Sequence, residues 1–213
     1  CVMASLRSPI SGLLAFLLVA GLASAPSSVR AGAAPQAKEA GPPASEQTPE
    51  RRSREQVLDM LFAQLKAAKS REAAEGLEGA IRKVWMASGS ASVGLLMSHG
   101  LKALAAKDYE DALFYFDEVV SLAPHYSEGW NKRSAVHFLL NDYSAALADL
   151  EHVLRLEPRH FEALAGLAVI LEDLGDKKGA LDAYRRALEL DPWLEGVPAR
   201  IRHLKPEVEG RGI

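Results

Sequence analysis

Six histidines are the side chains best suited to bind a metal ion or to transfer a proton at neutral pH. They are His99, His125, His137, His152, His160 and His203. No two of them are four residues apart, the spacing that places two imidazoles on one helical face, and the chain has a single cysteine, Cys1. We therefore predict no metal site, and we exclude an internal disulfide and a dithiol redox centre.

Three further short motifs resemble catalytic or phosphate-binding sequences but lack the spacing that the chemistry needs. The segment GDKKGA at 175–180 does not have the G-x-x-x-x-G-K-[ST] pattern of a phosphate-binding loop. The serines of 88–92 follow a predicted helix rather than a strand, so they indicate a hinge rather than a nucleophile. Glu172 and Asp173 are adjacent on a predicted helix and point apart, unlike a paired acid and base. We expect no catalytic residue, no cofactor and no enzymatic activity.

The composition is that of an ordinary soluble protein of one domain with flanking segments. The chain has 213 residues, of which 48% are hydrophobic and 25% are charged. Lys and Arg together number 25 and Asp and Glu number 28, so no excess of positive charge indicates binding to DNA or RNA. We therefore expect no nucleic acid as the partner, and the absence of a catalytic motif gives no reason to expect a small-molecule substrate.

Residues 1–31 have the layout of a secretory signal peptide. Arg7 supplies a short basic region, and an apolar run follows at 10–23. This run is short for a helix that spans a bilayer, which needs roughly 20 residues. We expect cleavage near residues 25–31, and Ala31 is the better site because Pro26 would directly follow a cut at Ala25. An uncleaved membrane anchor is the alternative.

The next two segments differ in their pattern. Residues 32–53 are rich in Ala, Pro, Gly and Glu and have no periodic apolar positions, so they predict a disordered linker. Residues 54–88 contain two apolar stripes at helical spacing, separated near Ser70. This second segment predicts an antiparallel pair of helices.

A repeat with a period of 34 residues follows the helix pair. The sequences KDYEDALFYFDEVVSLAP, NDYSAALADLEHVLRLEP and GDKKGALDAYRRALELDP align at this offset. Five positions are identical in all three copies: Asp108, Asp142 and Asp176; Ala112, Ala146 and Ala180; Leu113, Leu147 and Leu181; Leu122, Leu156 and Leu190; Pro124, Pro158 and Pro192.

Each conserved type within the repeat has a physical role in a helical hairpin. Asp can accept hydrogen bonds from the free N–H groups at the start of the second helix, where its charge also suits the helix dipole. Alanine allows two helices to approach closely, and the leucines fill the seam between them. Proline cannot continue a helix, so it ends each unit and turns the chain into the next one.

These features resemble the tetratricopeptide repeat. Each unit has a small residue at its eighth position, and an aromatic residue or leucine follows four residues after the repeated alanine. These residues are Gly100, Ser134 and Ala168, then Phe116, Leu150 and Tyr184. The resemblance implies three units at 93–126, 127–160 and 161–195. Residues 196–213 would then form a short capping helix, with Pro198 near its start, and a frayed tail.

The fold class that we predict is an all-α solenoid. The helix pair at 54–88 is similar to a degenerate fourth unit that precedes the three repeats, although its spacing to the first repeat is irregular. The sequences SEGWNKR and LEPRHFEALAGL, together with the signal peptide, also resemble those of exported tetratricopeptide proteins of alphaproteobacteria. This resemblance implies a periplasmic location, or an inner-membrane anchor facing the periplasm if the signal is uncleaved.

The resemblance also implies a binding groove on the concave side, lined by the first helix of each unit. The groove positions are Met97, Leu101, Leu104, Asn131, Ala135, Phe138, Ala165, Val169, Glu172 and Asp173. The groove would be apolar at one end and acidic at the other. A partner with an apolar anchor followed by a basic residue would complement it, although Leu104 and Phe138 could equally belong to the core.

We expect the protein to hold a protein or peptide partner without turnover, as an adaptor or assembly scaffold of the cell envelope. A membrane-tethered scaffold and an accessory subunit of an envelope enzyme are the alternatives. Co-chaperones of the family grip a C-terminal carboxylate with Lys and Asn on the first helix, where this chain has Met97 and Leu101, so chaperone-tail binding is not expected. We expect a monomer, although an apolar concavity could also serve self-association.

Overall fold

The computed structural model describes residues 49–210, with side chains from residue 53 onward. The regular secondary structure in this range is entirely α-helical, as predicted. Its helices are α1 (Pro49–Ala67), α2 (Arg71–Met86), α3 (Ala91–Ala105), α4 (Tyr109–Leu122), α5 (Ser127–Leu139), α6 (Tyr143–Leu156), α7 (Phe161–Asp173), α8 (Lys177–Leu190) and α9 (Val197–Glu209). None of them is long and apolar enough to cross a bilayer. The predicted signal peptide and most of the predicted linker lie outside the described residues.

Three helical hairpins, α3–α4, α5–α6 and α7–α8, stack in chain order, and α9 packs on α8. The side chains of Asp108, Asp142 and Asp176 each cap the second helix of their hairpin. Their Oδ1 atoms accept backbone N–H groups three residues later at 3.2, 3.1 and 2.9 Å. Each second helix ends two residues before a repeat proline. The Asp and Pro positions therefore set the two ends of these helices.

The seam inside each hairpin is closed by small residues. Ala112, Ala146 and Ala180 are completely buried. In the first hairpin, Gly100 lies against the ring of Phe116, and a Cβ built on Gly100 would lie only 2.6 Å from that ring. The other two hairpins carry Ser134 and Ala168 at the matching position, so the need for glycine is specific to the first.

A Gly100→Ala variant should therefore be destabilised by about 1–3 kcal/mol, because the new methyl group forces the buried Phe116 ring to shift. Urea unfolding followed by circular dichroism measures this loss. Gly79 has nothing within 4 Å of a built Cβ, so Gly79→Ala is the matched control and should be neutral or slightly stabilising. Equal stability of Gly100→Ala and the parent chain would contradict the close packing at this seam.

The first repeat differs from the others on the face that would stack on a preceding unit. Lys102 occupies the position at which Val136 and Ile170 are buried in the second and third repeats. Leu95, which corresponds to the buried Ala163, is 60% exposed. No helix of the described residues packs along this face of α3 in the way that α4 packs on α5.

The hairpin α1–α2 lies elsewhere than a stacked fourth repeat would. Its core of Leu58, Phe62, Ile81 and Trp85 also includes Phe161 at the start of α7, and Leu190 and Trp193 pack against that core. Helix α2 contacts α5. The hairpin therefore precedes the repeats in sequence but packs on the second and third of them, because the aromatic cluster there buries its apolar face.

Two helix ends differ from the sequence prediction. Helix α1 begins at Pro49, inside the predicted linker, because proline is tolerated in the first turn of a helix. Helix α9 continues to Glu209 through Pro206, although a frayed tail was predicted from Lys205 onward. Val208 packs on the core beneath α9, and Glu209 forms an ion pair with Arg185 at 2.6 Å, so these contacts hold the last turn.

Candidate functional site

A cleft of about 430 Å³ lies between α2 on one side and α5 and α7 on the other. The sides of α5 and α7 that face α2 are called the inner face. The cleft is lined by Arg71, Glu75, Glu78, Arg82, Asn131, Ser134, Ala135, Phe138, Leu150, Glu162, Ala165, Gly166, Val169, Ile170, Leu194 and Glu195. One wall comes from the N-terminal hairpin and the other from the second and third repeats. The repeats therefore supply the floor of the cleft, and the docked hairpin closes one side of it.

The cleft combines an apolar floor with a charged rim of net negative charge. The floor consists mainly of aliphatic residues and Phe138. Three glutamates and two arginines form the rim, and a fourth glutamate, Glu78, is buried beneath it. Arg82 links the two walls, since its Nε lies 2.5 Å from Glu162 and its Nη2 lies 3.0 Å from Glu78. Arg71 donates to the carbonyl oxygen of Trp193. This arrangement suits an apolar group next to a cation.

Half of the groove positions predicted from the sequence lie together in this cleft. They are Asn131, Ala135, Phe138, Ala165 and Val169. Three of these residues, Asn131, Ala135 and Ala165, are almost completely buried, while Phe138 and Val169 are half-buried. Phe138 also packs on the core of the second repeat.

The predicted positions of the first repeat lie apart from the cleft. Met97 is buried in the core between α3 and α4, and Leu104 packs against the same core. Leu101 and Met97 border a separate shallow depression next to Met86. Met97 and Leu104 are thus mainly core residues, because they face α4 rather than open solvent.

The acidic positions of the third repeat are already engaged by neighbouring side chains. Glu172 accepts a hydrogen bond from Tyr184 and pairs with Arg200 of α9, both at 3.2 Å. The Tyr143 hydroxyl lies 3.5 Å from Asp173. These carboxylates therefore help to join α6, α8 and α9 to α7, and Asp173 stays exposed.

A buried polar network joins the second repeat to the third. Glu128 is 2% exposed and accepts hydrogen bonds from His160 Nε2 at 3.0 Å and Asn131 Nδ2 at 3.2 Å. His160 caps α7, and its Nδ1 accepts the N–H of Ala163, so Nε2 carries the proton. Burial would raise the pKa of Glu128, but the His160 hydrogen bond and the charge of Lys132, 3.3 Å away, lower it to about 2.

The N-terminal hairpin packs on the His160 ring through Trp85. Trp85 stacks on this ring with the two centroids 4.0 Å apart and the planes 13° from parallel. The Trp85 side chain also contacts Phe161 and Phe62, with centroids at 5.1 and 6.1 Å. Glu128 therefore orients the ring that receives the aromatic anchor of α2.

Two buried carboxylates lie at the same interface. Glu78 on α2 and Asp191 after α8 each have one oxygen that is buried and lacks a hydrogen-bond partner. The other Asp191 oxygen accepts the N–H of Trp193 at 3.0 Å. Burial and the nearby Glu78 raise the pKa of Asp191 from 3.8 to about 6, although Arg71 and Arg82 act in the opposite direction.

An Asp191→Asn variant should be more stable than the parent chain at pH 7.5, by about 1–3 kcal/mol. The folded protein holds the Asp191 proton more tightly than the unfolded chain does, so this carboxyl lowers the unfolding free energy as pH rises from about 4 through 6. Asparagine keeps the acceptor for Trp193 and carries no charge that burial would penalise. Urea unfolding at pH 4.5 and 7.5 should show the advantage mainly at pH 7.5, and an equal advantage at both pH values would contradict this role for Asp191.

The sequence prediction missed the α2 wall, including Arg71, Glu78 and Arg82. One signal was available, since Glu78 interrupts the apolar face that Ala74, Ile81 and Trp85 form. Within residues 53–210 no cluster of His, Cys, Asp or Glu side chains has a geometry that could hold a metal ion. The arrangement offers binding surface and ion-pairing groups.

Comparisons with known proteins agree with the repeat pattern. The tetratricopeptide repeat profile matches residues 131–192. A TPR repeat-containing protein of Rhizobium etli is 41% identical over 158 residues, which is 74% of this chain and 78% of that protein. The fold is similar to the first TPR of Spaghetti (RPAP3) bound to an HSP90 peptide, with a TM-score of 0.53 and 19% identity over 55% of this chain and 93% of that one. It is also similar to MamA, with a TM-score of 0.53 and 17% identity over 78% and 88%.

Proposed function

The chain belongs to the tetratricopeptide repeat family, whose domains mediate protein–protein interaction, and from this premise we propose a non-enzymatic module that holds one protein partner. The partner contributes a peptide or helix to the inner face of the second and third repeats. The observation that carries this proposal is that α2 already lies against this face and leaves a cleft of about 430 Å³ beside it.

The chemistry of the cleft narrows the kind of segment that fits. An apolar side chain can reach the floor beside Phe138 and Val169, and a neighbouring lysine or arginine can pair with the excess carboxylates of the rim. The Lys and Asn of the second repeat are not free to clamp a carboxylate. Lys132 pairs with Glu128 at 3.3 Å, and Asn131 donates to the same residue. A carboxylate-terminated chaperone tail is therefore not the ligand that we propose.

Site-specific photocrosslinking in cells tests this function. A photoreactive amino acid at position 138 should give an adduct with one discrete partner, and a second substitution, Val169→Arg, should abolish that adduct. The matched control places the photoreactive amino acid at Phe114, which is 59% exposed on α4, a helix that does not line the cleft, and should not give the adduct. An adduct that survives Val169→Arg would contradict binding at the inner face.

We further propose that the chain is exported and acts in the periplasm as an adaptor or assembly scaffold. Support comes from the apolar run at 10–23, the short basic region before it and the small residues near Ala31. The mass of the protein purified from its native cells should correspond to a chain that begins after residues 25–31. A mass that includes the apolar run would instead favour the membrane-tethered scaffold.

A further inference from the structure

Helix α2 contacts the inner face through the same kinds of groups that we propose for a partner. Ile81 and Trp85 are its buried apolar anchors, and Arg82 is the basic residue between them. Arg82 pairs with Glu162 of α7 at 2.5 Å, and Trp85 stacks on His160. The chain therefore carries on α2 an apolar anchor followed directly by a basic residue, the pattern that complements an acidic groove.

The hairpin is joined to the repeats by a single short connection. Residues 87–90 link α2 to α3, and Gly89 has a φ of 72°, a conformation that glycine adopts without strain. The anchoring contacts lie far away in sequence, at His160, Glu162 and Trp193. No helix is shared between the hairpin and the repeats, so a rotation within residues 87–90 would be sufficient for the hairpin to leave the inner face.

Some buried polar atoms at the interface between α2 and the repeats lack hydrogen-bond partners. Among the described residues, the buried side-chain atoms without a hydrogen-bond partner are Glu78 Oε1, Trp85 Nε1 and Asp191 Oδ2. Glu78 and Trp85 lie on the face of α2 that meets the repeats, and Asp191 lies in the turn that α2 covers. Trp85 Nε1 and Asp191 Oδ2 oppose docking, since each would regain hydrogen bonds to water once the hairpin leaves, whereas Glu78 Oε1 lies 4.0 Å from Arg71 Nη1 of its own helix.

We infer that α1–α2 is a displaceable occupant supplied by the chain itself, and that the partner is an amphipathic helix that replaces it. This inference rests on the proposed function and specifies its partner and its regulation. The partner helix presents an aliphatic residue, a basic residue next to it and an aromatic residue three positions later, as Ile81, Arg82 and Trp85 do. The basic residue pairs with Glu162, and the aromatic ring stacks on His160.

A labelled hairpin peptide supplied in trans tests this inference. The probe is a fluorescein-labelled peptide of residues 49–86, and fluorescence anisotropy measures its binding to the full chain. Trp85→Ala in the full chain weakens the resident hairpin and should tighten binding of the peptide at least about tenfold, because a larger fraction of molecules has the inner face open. Asp191→Asn should leave peptide affinity nearly unchanged, since removing this buried charge stabilises the docked peptide and the docked resident hairpin alike.

Two controls keep the result interpretable. The peptide carrying its own Trp85→Ala change should lose binding to every variant, and Phe114→Ala in the full chain should bind the normal peptide as the parent does. Arg82→Ala is a second loosened variant, for use if circular dichroism shows that Trp85→Ala loses the helices of the repeats. Equal peptide affinity of the parent chain and the folded loosened variants would overturn the inference.

The two proposals fail in different ways. If the cellular adduct at position 138 depends on Val169 but has the same yield in the parent and the loosened variants, the inner face binds a partner and the hairpin does not regulate it. If the peptide binds as expected but no adduct forms in cells, the displaceable hairpin stands and the proposed function fails. An adduct whose yield rises with Trp85→Ala supports both.

Discussion

Replacing Trp85 with alanine is expected to cost about 3–5 kcal/mol of the free energy that holds the α1–α2 hairpin on the repeats. Trp85 is completely buried and its ring contacts three other rings, His160, Phe161 and Phe62. Removing the indole leaves a large cavity between elements that are joined only through residues 87–90. Hydrogen exchange measured by mass spectrometry should show faster exchange in α1 and α2, while α6 and α8 keep their protection.

Trp85→Phe is the matched control for this experiment. Phenylalanine keeps an aromatic ring against His160 and removes the Nε1–H group that has no acceptor, so its cost should be clearly smaller. Leu95→Ala, at a side chain that is 60% exposed, should leave exchange in the hairpin unchanged. If Trp85→Ala raised exchange in α8 as much as in α2, the hairpin and the repeats would be a single cooperative unit and separate release would be excluded.

Replacing Glu128 with alanine should destabilise the repeats by a similar amount, about 3–5 kcal/mol at pH 7. The change removes the buried carboxylate that accepts from His160 and Asn131 and pairs with Lys132. The pKa of Glu128 lies below its unfolded value of 4.5, so its contribution is present above that pH and is lost as the pH falls toward 2. Urea unfolding should therefore show a smaller difference between parent and variant at pH 3 than at pH 7.

A double-mutant cycle tests whether Glu128 acts on the hairpin through His160. Glu128 fixes the imidazole on which Trp85 stacks, so the losses from Glu128→Ala and Trp85→Ala should not be additive, with a coupling of about 0.5–3 kcal/mol. Glu128 and Ala74 serve as the control pair, since Ala74 makes no ring contact with His160. The stability losses from Glu128→Ala and Ala74→Gly should therefore be additive. Strict additivity for the first pair would mean that His160 holds its orientation without Glu128.

The repeats were predictable from the sequence because their signals are local and recur. Asp142 caps a helix three residues away and Pro158 ends it, so the spacing alone places both ends. The same phase places Asn131, Ala135 and Val169 toward one face. The repeat phase does not reveal that Met97, which is equivalent to Asn131, is buried in the core of the first hairpin.

The placement of the hairpin was not predictable in this way, because its contacts are distant in sequence. Arg82 pairs with a residue 80 positions later, and Arg71 reaches a carbonyl 122 positions later. A helix pair that stacks on α3 and one that folds across α5 and α7 share the same periodicity. What distinguishes them is the composition of the α2 face, where Glu78 lies among apolar residues and close to Asp191, which follows α8.

Lys102 and helix α9 close the two ends of the array by different means. At one end, an ammonium group stands where the other repeats bury an aliphatic side chain; at the other, α9 covers α8 and buries Leu204. If two molecules joined end to end, the contact would desolvate the Lys102 ammonium group of one molecule and displace α9 from α8 in the other. Fibre growth by end-to-end addition is thereby opposed at both termini, and crowding the molecules together should leave the array at three units.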